Sequence, residues 1–298
     1  MENKKYGLVL AGGGAKGAYQ IGAFQALKEL GILENIIAFS GNSIGTVNMA
    51  LLIGSDLDTA KRLWENMNVD DFLDIDEKPL DGTNSDGIFS REGINRHLKE
   101  NIDFNKMSNC DKPCYITVST TPDSGEMVAE YKKINGMDPD EIRKLVIASS
   151  AIPVMYGSVN VAGGKYMDGG FVDNTPIKPL YDAGIKDIIV ISNNSAYQPE
   201  TQLFKDANLY TIIPSKSLDM DTLIGTVDFD KEHVSYRMKL GYMDAKMQML
   251  SYLAGASVIS DKIKEANHNL AMQEMNRNKL ESSVNSNMQG LAKLLGDL

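Results

Sequence analysis

The chain has 298 residues, 43% of them hydrophobic and 23% charged, a composition that builds a folded core and excludes general disorder. Its 30 Lys and Arg against 40 Asp and Glu leave a formal charge of −10, which argues against capture of a nucleic acid backbone and weakens long-range attraction to anionic membranes. The early apolar run Leu8-Val9-Leu10 is too short for a secretory signal core, and no apolar stretch reaches the roughly 20 residues of a membrane span, so a soluble, cytoplasmic protein is expected.

Residues 6–10 read as a strand, Gly12-Gly13-Gly14 interrupts it, and residues 18–30 carry Ile21, Phe24, Leu27 and Leu30 at helical spacing, with Gly31 as the stop. Residues 36–39 form a second short strand, and a glycine-flanked turn leads into a helix over 46–53. This strand, turn, helix grammar predicts an α/β fold with a parallel sheet and helices on its faces. Residues 76–85 read as a surface loop and 91–101 as a polar helix. Cys110 and Cys114 have no histidine close in sequence and read as reduced thiols rather than a zinc site or a disulfide. Residues 114–120, 188–192 and 209–214 read as strands, and 193–202 as a surface loop. Asp138 caps a helix running to Ser149, with Pro139 in its first position. From Glu232 onward the pattern is helical, with methionines as core filler. One domain over residues 1–250 is expected, with a helical C-terminal extension over 251–298 packed on or beside it.

The pentapeptide Gly41-Asn42-Ser43-Ile44-Gly45, between a strand and a helix, has the setting of a nucleophile elbow. A serine on such a turn is lifted clear of the sheet. Gly41 and Gly45 then remove side chains that would clash there and tolerate unusual backbone angles. The N-terminus of the following helix favours an oxyanion. In Gly12-Gly13-Gly14-Ala15-Lys16-Gly17, consecutive N–H groups can converge on one anionic atom, and Lys16 either adds charge or stays solvated. That segment also satisfies Gly-x-Gly-x-x-Gly. However, the second strand ends in Ser40-Gly41-Asn42, where a dinucleotide site needs an acid, and no Gly-Lys-Ser or Gly-Lys-Thr closes a P-loop.

A serine hydroxyl needs a positioned base. His97, His233 and His268 sit in polar segments without the glycine-rich or strand-end setting of a catalytic loop. Asp168 follows strand-like Lys165-Tyr166-Met167 and precedes Gly169-Gly170, so it reads equally as a base delivered into a turn or as an ordinary turn residue. The order Ser43, Asp168, His233 also leaves a triad open.

Four segments together resemble the patatin-like phospholipase family, and in its order. They are Gly12 to Gly17, Gly41 to Gly45, Ala148-Ser149-Ser150-Ala151-Ile152-Pro153, and Asp168-Gly169-Gly170 continuing to Asp173-Asn174-Thr175-Pro176. Residues 223–246 are also similar to bacterial members, so the likeness runs from about Tyr6 to Lys246. The resemblance implies a three-layer α/β/α fold with a mainly parallel central sheet. It implies a Ser43–Asp168 dyad rather than a triad, and an oxyanion hole built from the amides of Gly12, Gly13 and Gly14. Gly41, Gly45, Gly169 and Gly170 would then support the site, with no metal or organic cofactor. The implied partner is a lipid or acyl-ester substrate, with transient contact at a membrane surface and no nucleic acid. The family's elbow has Thr before the serine; Asn42 departs from it, and since Asn tolerates strained backbone angles, a modest change in the site is expected. The competing reading, a catalytically silent module that binds or regulates lipid, is disfavoured because every catalytic position is filled. Residues 152–156 and 218–229 are candidate lipid-contacting segments; head group, acyl length, ester position and oligomeric state are not encoded in any motif.

Overall fold

Runs rich in Val, Ile and Leu become strands and the periodic stretches between them become helices, in a computed structural model that describes residues 4–68, 92–120, 125–151, 157–219 and 225–253. The strands are β1 (Tyr6–Leu10), β2 (Ile36–Asn42), β3 (Cys114–Thr120), β4 (Val128–Lys133), β5 (Val159–Val161), β6 (Gly164–Asp168), β7 (Asp187–Ile191) and β8 (Asn208–Ile212). The helices are α1 (Ala18–Glu29), α2 (Ile44–Gly54), α3 (Leu57–Asn66), α4 (Glu92–Asn101), α5 (Phe104–Ser108), α6 (Pro139–Ser149), α7 (Lys178–Asp182) and α8 (Lys231–Leu253). The predicted loop at 76–85, the apolar segment at 152–156, His268 and the extension from 254 onward lie outside the described residues.

Strand β2 runs three residues past its predicted end, to Asn42, and α2 begins at Ile44, so Ser43 alone makes the turn between them. Helix α3 escaped the sequence reading although its signals are present: Asp56 caps it by accepting the Thr59 N–H, and Ala60 and Trp64 line its buried face. Strand β4 was also missed; Val-Ala-Glu-Tyr-Lys-Lys is half-exposed and charged, as an edge strand should be. The segment after β7 is a loop as expected, but Asn193 at its start is buried rather than on the surface. Both cysteines are free thiols.

The sheet order is β5-β6-β3-β2-β1-β7-β8, with β4 paired to β3. Strands β3, β2, β1, β7 and β8 are parallel, and β4 and β6 run antiparallel to β3. On one face Val9, Ala38, Ile188 and Val190 pack against Ile177 and Leu180 at α7. On the other, Leu8, Leu10, Ile189 and Ile191 are fully buried as well, the double burial of a sheet sandwiched between helices.

The register of β3 positions the site. Its residues 114–117 pair with 39–42 of β2, while Val118 pairs with Asp168 of antiparallel β6. Strand β4 occupies the other edge of β3 over 115–120, so β2 and β6 share one edge and meet C-terminus to C-terminus. The next residue of β2 is Ser43, and the last residue of β6 is Asp168.

The chain divides into two compact units, Met1–Gln248 and Met249–Leu298; of the second, only residues 249–253, the end of α8, are described. Among the described residues no helix is long and apolar enough to cross a membrane.

Candidate active site

Ser43 has φ 52° and ψ −128°, one of two non-glycine residues with positive φ among those described. Such a backbone costs on the order of 1–3 kcal/mol and persists only where its surroundings enforce it. Here the enforcement is visible. The Ser43 N–H donates to Ser149 Oγ at 2.8 Å, and Ser149 in turn donates to the Thr117 carbonyl at 2.7 Å and lies 3.1 Å from Thr46 Oγ1. The strain therefore falls on the serine itself, while Asn42 is extended strand; tolerance of unusual angles is not why an asparagine stands there. Gly41 and Gly45 likewise lie outside the positive-φ set. Their smallness is what matters: a Cβ on Gly45 would collide with the Leu10 carbonyl of β1, and one on Gly41 would come within 3.0 Å of the Gly45 carbonyl.

Asp168 is 4% exposed, and its backbone is pinned on both sides. Its N–H donates to the Ala151 carbonyl at 3.1 Å, and its carbonyl accepts from Ser119 Oγ at 2.8 Å. Its Oδ1 accepts from the Gly170 N–H at 2.7 Å and from Asn42 Nδ2 at 3.3 Å, and the Ser43 hydroxyl is among the groups that act on the same carboxyl. Burial pushes this carboxyl above the usual carboxylate range; the bonds from Ser43, Gly170 and Asn42 oppose the rise without cancelling it. Gly169 and Gly170 allow the close approach, since a Cβ on Gly169 would meet Thr117 and Asn42 Oδ1 at 2.7 Å.

The glycine loop closes the third side. Gly13 and Gly14 have φ 151° and 56°, which turns successive N–H groups outward ahead of the 3-10 turn Gly14–Gly17. Among the described residues neither N–H meets an acceptor, whereas the Gly12 N–H donates to the Asn174 carbonyl at 3.2 Å. A Cβ on Gly12 would sit 3.0 Å from Ser43 Cβ, so the loop lies directly against the serine.

Buried amides hold this loop from behind. Asn193 Nδ2 donates to the carbonyls of Ala11 and Gly12, both at 3.1 Å, and Gln20 Nε2 donates to Ala11 O at 2.7 Å. Asn48 Nδ2 bonds Gln20 Oε1 at 2.9 Å and the Gly17 carbonyl at 3.0 Å, and the Trp64 indole N–H donates to Asn48 Oδ1 at 2.9 Å. Lys16 pairs with Asp219.

The sequence reading did not single out Ser149, Asn193, Asn48 or Gln20. A signal was available for Ser149, which stands in one of the four family segments; a lone buried amide on a helix carries none.

The two described histidines are elsewhere. His233 Nδ1 lies 2.8 Å from Asp228 Oδ2, a carboxylate that also binds buried Arg237 at 2.7 Å, and His97 lies on α4. The groups acting on Asp168 are Ser43, Gly170 and Asn42, with no histidine among them. Among the described residues no three His, Cys, Asp or Glu side chains gather as metal ligands.

The chain is similar to several known lipid hydrolases. The chain is 24% identical over 250 residues to the "Probable lipid hydrolase 463L" of Invertebrate iridescent virus 6, covering 75% of this chain and 83% of that protein. It is 29% identical over 205 residues to the "Lysophospholipase NTE1" of Cryptococcus neoformans var. neoformans serotype D, covering 64% of this chain but spanning only 11% of that protein's length. Among solved structures, VipD from Legionella pneumophila superposes with a TM-score of 0.51 at 17% identity, covering 83% of this chain and 67% of that one, a likeness of fold. The model of the patatin-like phospholipase family matches residues 8–181, more than half the chain, and the chain belongs to that family.

Proposed function

We propose that this protein is a serine lipid acyl hydrolase of the phospholipase A or lysophospholipase type, working through an acyl-Ser43 intermediate. The observation that carries the reading is Ser43 set at the strained turn beside the buried Asp168 carboxyl, whose basicity burial raises, with no histidine among the described residues acting on that carboxyl. In the first half-reaction Ser43 Oγ attacks the ester carbonyl carbon and its proton passes to Asp168. The oxyanion that forms is received by the N–H groups of Gly13 and Gly14, while Gly12 spends its own N–H on Asn174 and holds the loop in place. Each such donor is worth roughly 10²- to 10³-fold in turnover. Collapse expels the alcohol, which takes the proton from Asp168. Water then attacks acyl-Ser43, gives its proton to Asp168, and the fatty acid leaves as the serine is re-protonated. The sequence of steps uses no metal or organic cofactor.

Lipid as the substrate class is supported by the relatives and by the rim of the site. Phe171 and Val172, directly after Gly170, are 67% and 44% exposed, apolar side chains suited to an acyl chain or a membrane surface. The hydrolase is assigned to residues 1–250, in a cytoplasmic protein.

The test is hydrolysis of a p-nitrophenyl acyl ester and of a lysophospholipid by purified protein. Ser43→Ala should abolish turnover, Asp168→Asn should lower kcat by roughly 10³-fold or more, and His233→Ala should stay within a few-fold of wild type. Near wild-type turnover in Asp168→Asn with loss in His233→Ala would replace the dyad by a triad.

A further inference from the structure

We propose that Asn42 and Asn174 are positioning residues, a two-amide clamp that orients the Asp168 carboxylate and ties it to the oxyanion loop. The inference rests on the Ser43–Asp168 reading above and adds to it. The side-chain NH2 of Asn42 divides its two protons between Asp168 Oδ1, at 3.3 Å, and Asn174 Oδ1, at 3.1 Å. Asp168 Oδ1 also takes the Gly170 N–H at 2.7 Å. With two donors on that oxygen, the carboxylate is held in one rotamer and its other oxygen is the one offered to Ser43. The amide orientation of Asn42 is required by charge, because the reverse would set an amide oxygen against a carboxylate. Asn174 completes the link, accepting from Asn42 on its side chain and from the Gly12 N–H on its carbonyl, at 3.2 Å. Base and oxyanion loop thus share one hydrogen-bonded unit, built on Asn42 next to Ser43 in the chain.

The surrounding space agrees. A Cβ on Gly170 would stand 3.0 Å from Asn174 Oδ1, Asn42 Nδ2 and Asp168 Oδ1 alike, and one on Gly12 would collide with Asn174 Oδ1 and reach Asn42 Nδ2 at 2.9 Å. The two glycines leave just the room that the amides fill.

Neutral amides suit this task. An arginine or lysine at the same place would orient the carboxylate but drain its basicity, typically by 1–3 pKa units at roughly 4–6 Å. An amide holds the geometry at smaller cost. The described groups that act on the Asp168 carboxyl are Asn42 and Ser43 from the β2–α2 junction and Gly170 from its own turn, while Ser119 of β3 bonds its backbone carbonyl, none of them charged. The nearest acid in sequence, Asp173, is engaged by the Tyr131 hydroxyl at 2.6 Å.

The experiment compares wild type, Asn42→Thr and Asn174→Ala in p-nitrophenyl ester turnover and in the rate of fluorophosphonate labelling, each across pH. Thr is too short to bridge Asp168 and Asn174, so Asn42→Thr should lower kcat by roughly 10- to 100-fold at little change in KM. It should also move the acid limb of kcat/KM to higher pH, because a donor to the ionised carboxylate is gone. Asn174→Ala removes an exposed side chain, should fold normally, and should lower kcat with a smaller movement of the acid limb. If Asn42→Thr fails to fold, the Asn174→Ala result decides: unchanged kcat and labelling rate overturn the clamp. An Asn42→Thr enzyme that folds but keeps the wild-type acid limb also overturns it, since packing alone would leave that limb unmoved. Asp168→Asn measured alongside separates the two claims. If it retains wild-type turnover, the dyad itself is wrong; if it is inactive while Asn42→Thr keeps its acid limb, only the clamp is wrong.

Discussion

On the proposed dyad, Asp168 meets two opposed demands, since it is buried against the end of the sheet yet must be ionised to take a proton from Ser43. Burial raises its pKa over the unfolded value, so the native state binds that proton more tightly than the unfolded chain does. The resulting stability is fully present below the unfolded carboxylate pKa and is lost as pH rises through the elevated folded value. At neutral pH the ionised side chain therefore weighs against folding. Asp168→Asn keeps an oxygen for the Gly170 and Asn42 donors and removes the charge. It should raise Tm over wild type at pH 7, by a few degrees, with the gap closing as pH falls into the acid range, while activity is lost. Thermal melts at pH 7 and pH 4 measure it; a lower Tm at pH 7 would mean that the carboxylate's bonds outweigh its desolvation.

The elbow is a contact between elements as much as a turn. Helix α2 crosses the end of β1 so closely that a methyl on Gly45 would overlap the Leu10 carbonyl and come within 2.8 Å of the Ala11 carbonyl. Gly45→Ala must part α2 from the sheet, at a cost of roughly 1–3 kcal/mol, and the same shift would carry Ser43 away from Asp168. Gly31→Ala is the matching control, having a φ of 67° but no atom within 4 Å of the added carbon, so only backbone strain is felt. Trp64, the single tryptophan and buried beneath the loop network, reports both melts by its fluorescence. Gly45→Ala should melt lower than Gly31→Ala and lose activity that the control keeps.

Much of this was legible in the sequence. Strands β1 and β3 and helix α6 fall where their apolar runs and caps put them, because each pattern is local. The juxtaposition of Ser43 with Asp168 is not local. It depends on β6 running antiparallel and taking over the edge of β3 where β2 stops, a long-range arrangement that periodicity does not encode. The role of Asn42 was misread for the same reason: its partners, Asp168 and Asn174, are distant in sequence, and only the fold brings them within reach of its amide.

For the molecule as a whole, the site stands where a parallel sheet favours one, at the carboxyl ends of β1 and β2 with a glycine loop and a helix N-terminus converging there. A formal charge of −10 gives it no general attraction for anionic surfaces, and on the proposed function apolar contact such as Phe171 and Val172 would bring lipid to the rim. The central claim is that one residue in 298, Ser43, becomes acylated during turnover. Its most direct test is reaction of the purified protein with an alkyl fluorophosphonate, followed by intact mass and peptide mapping. One adduct per chain is predicted, on the peptide that carries Ser43, absent from Ser43→Ala and slow to form in Asp168→Asn. A label on another residue, or one that survives in Ser43→Ala at the wild-type rate, would contradict the account.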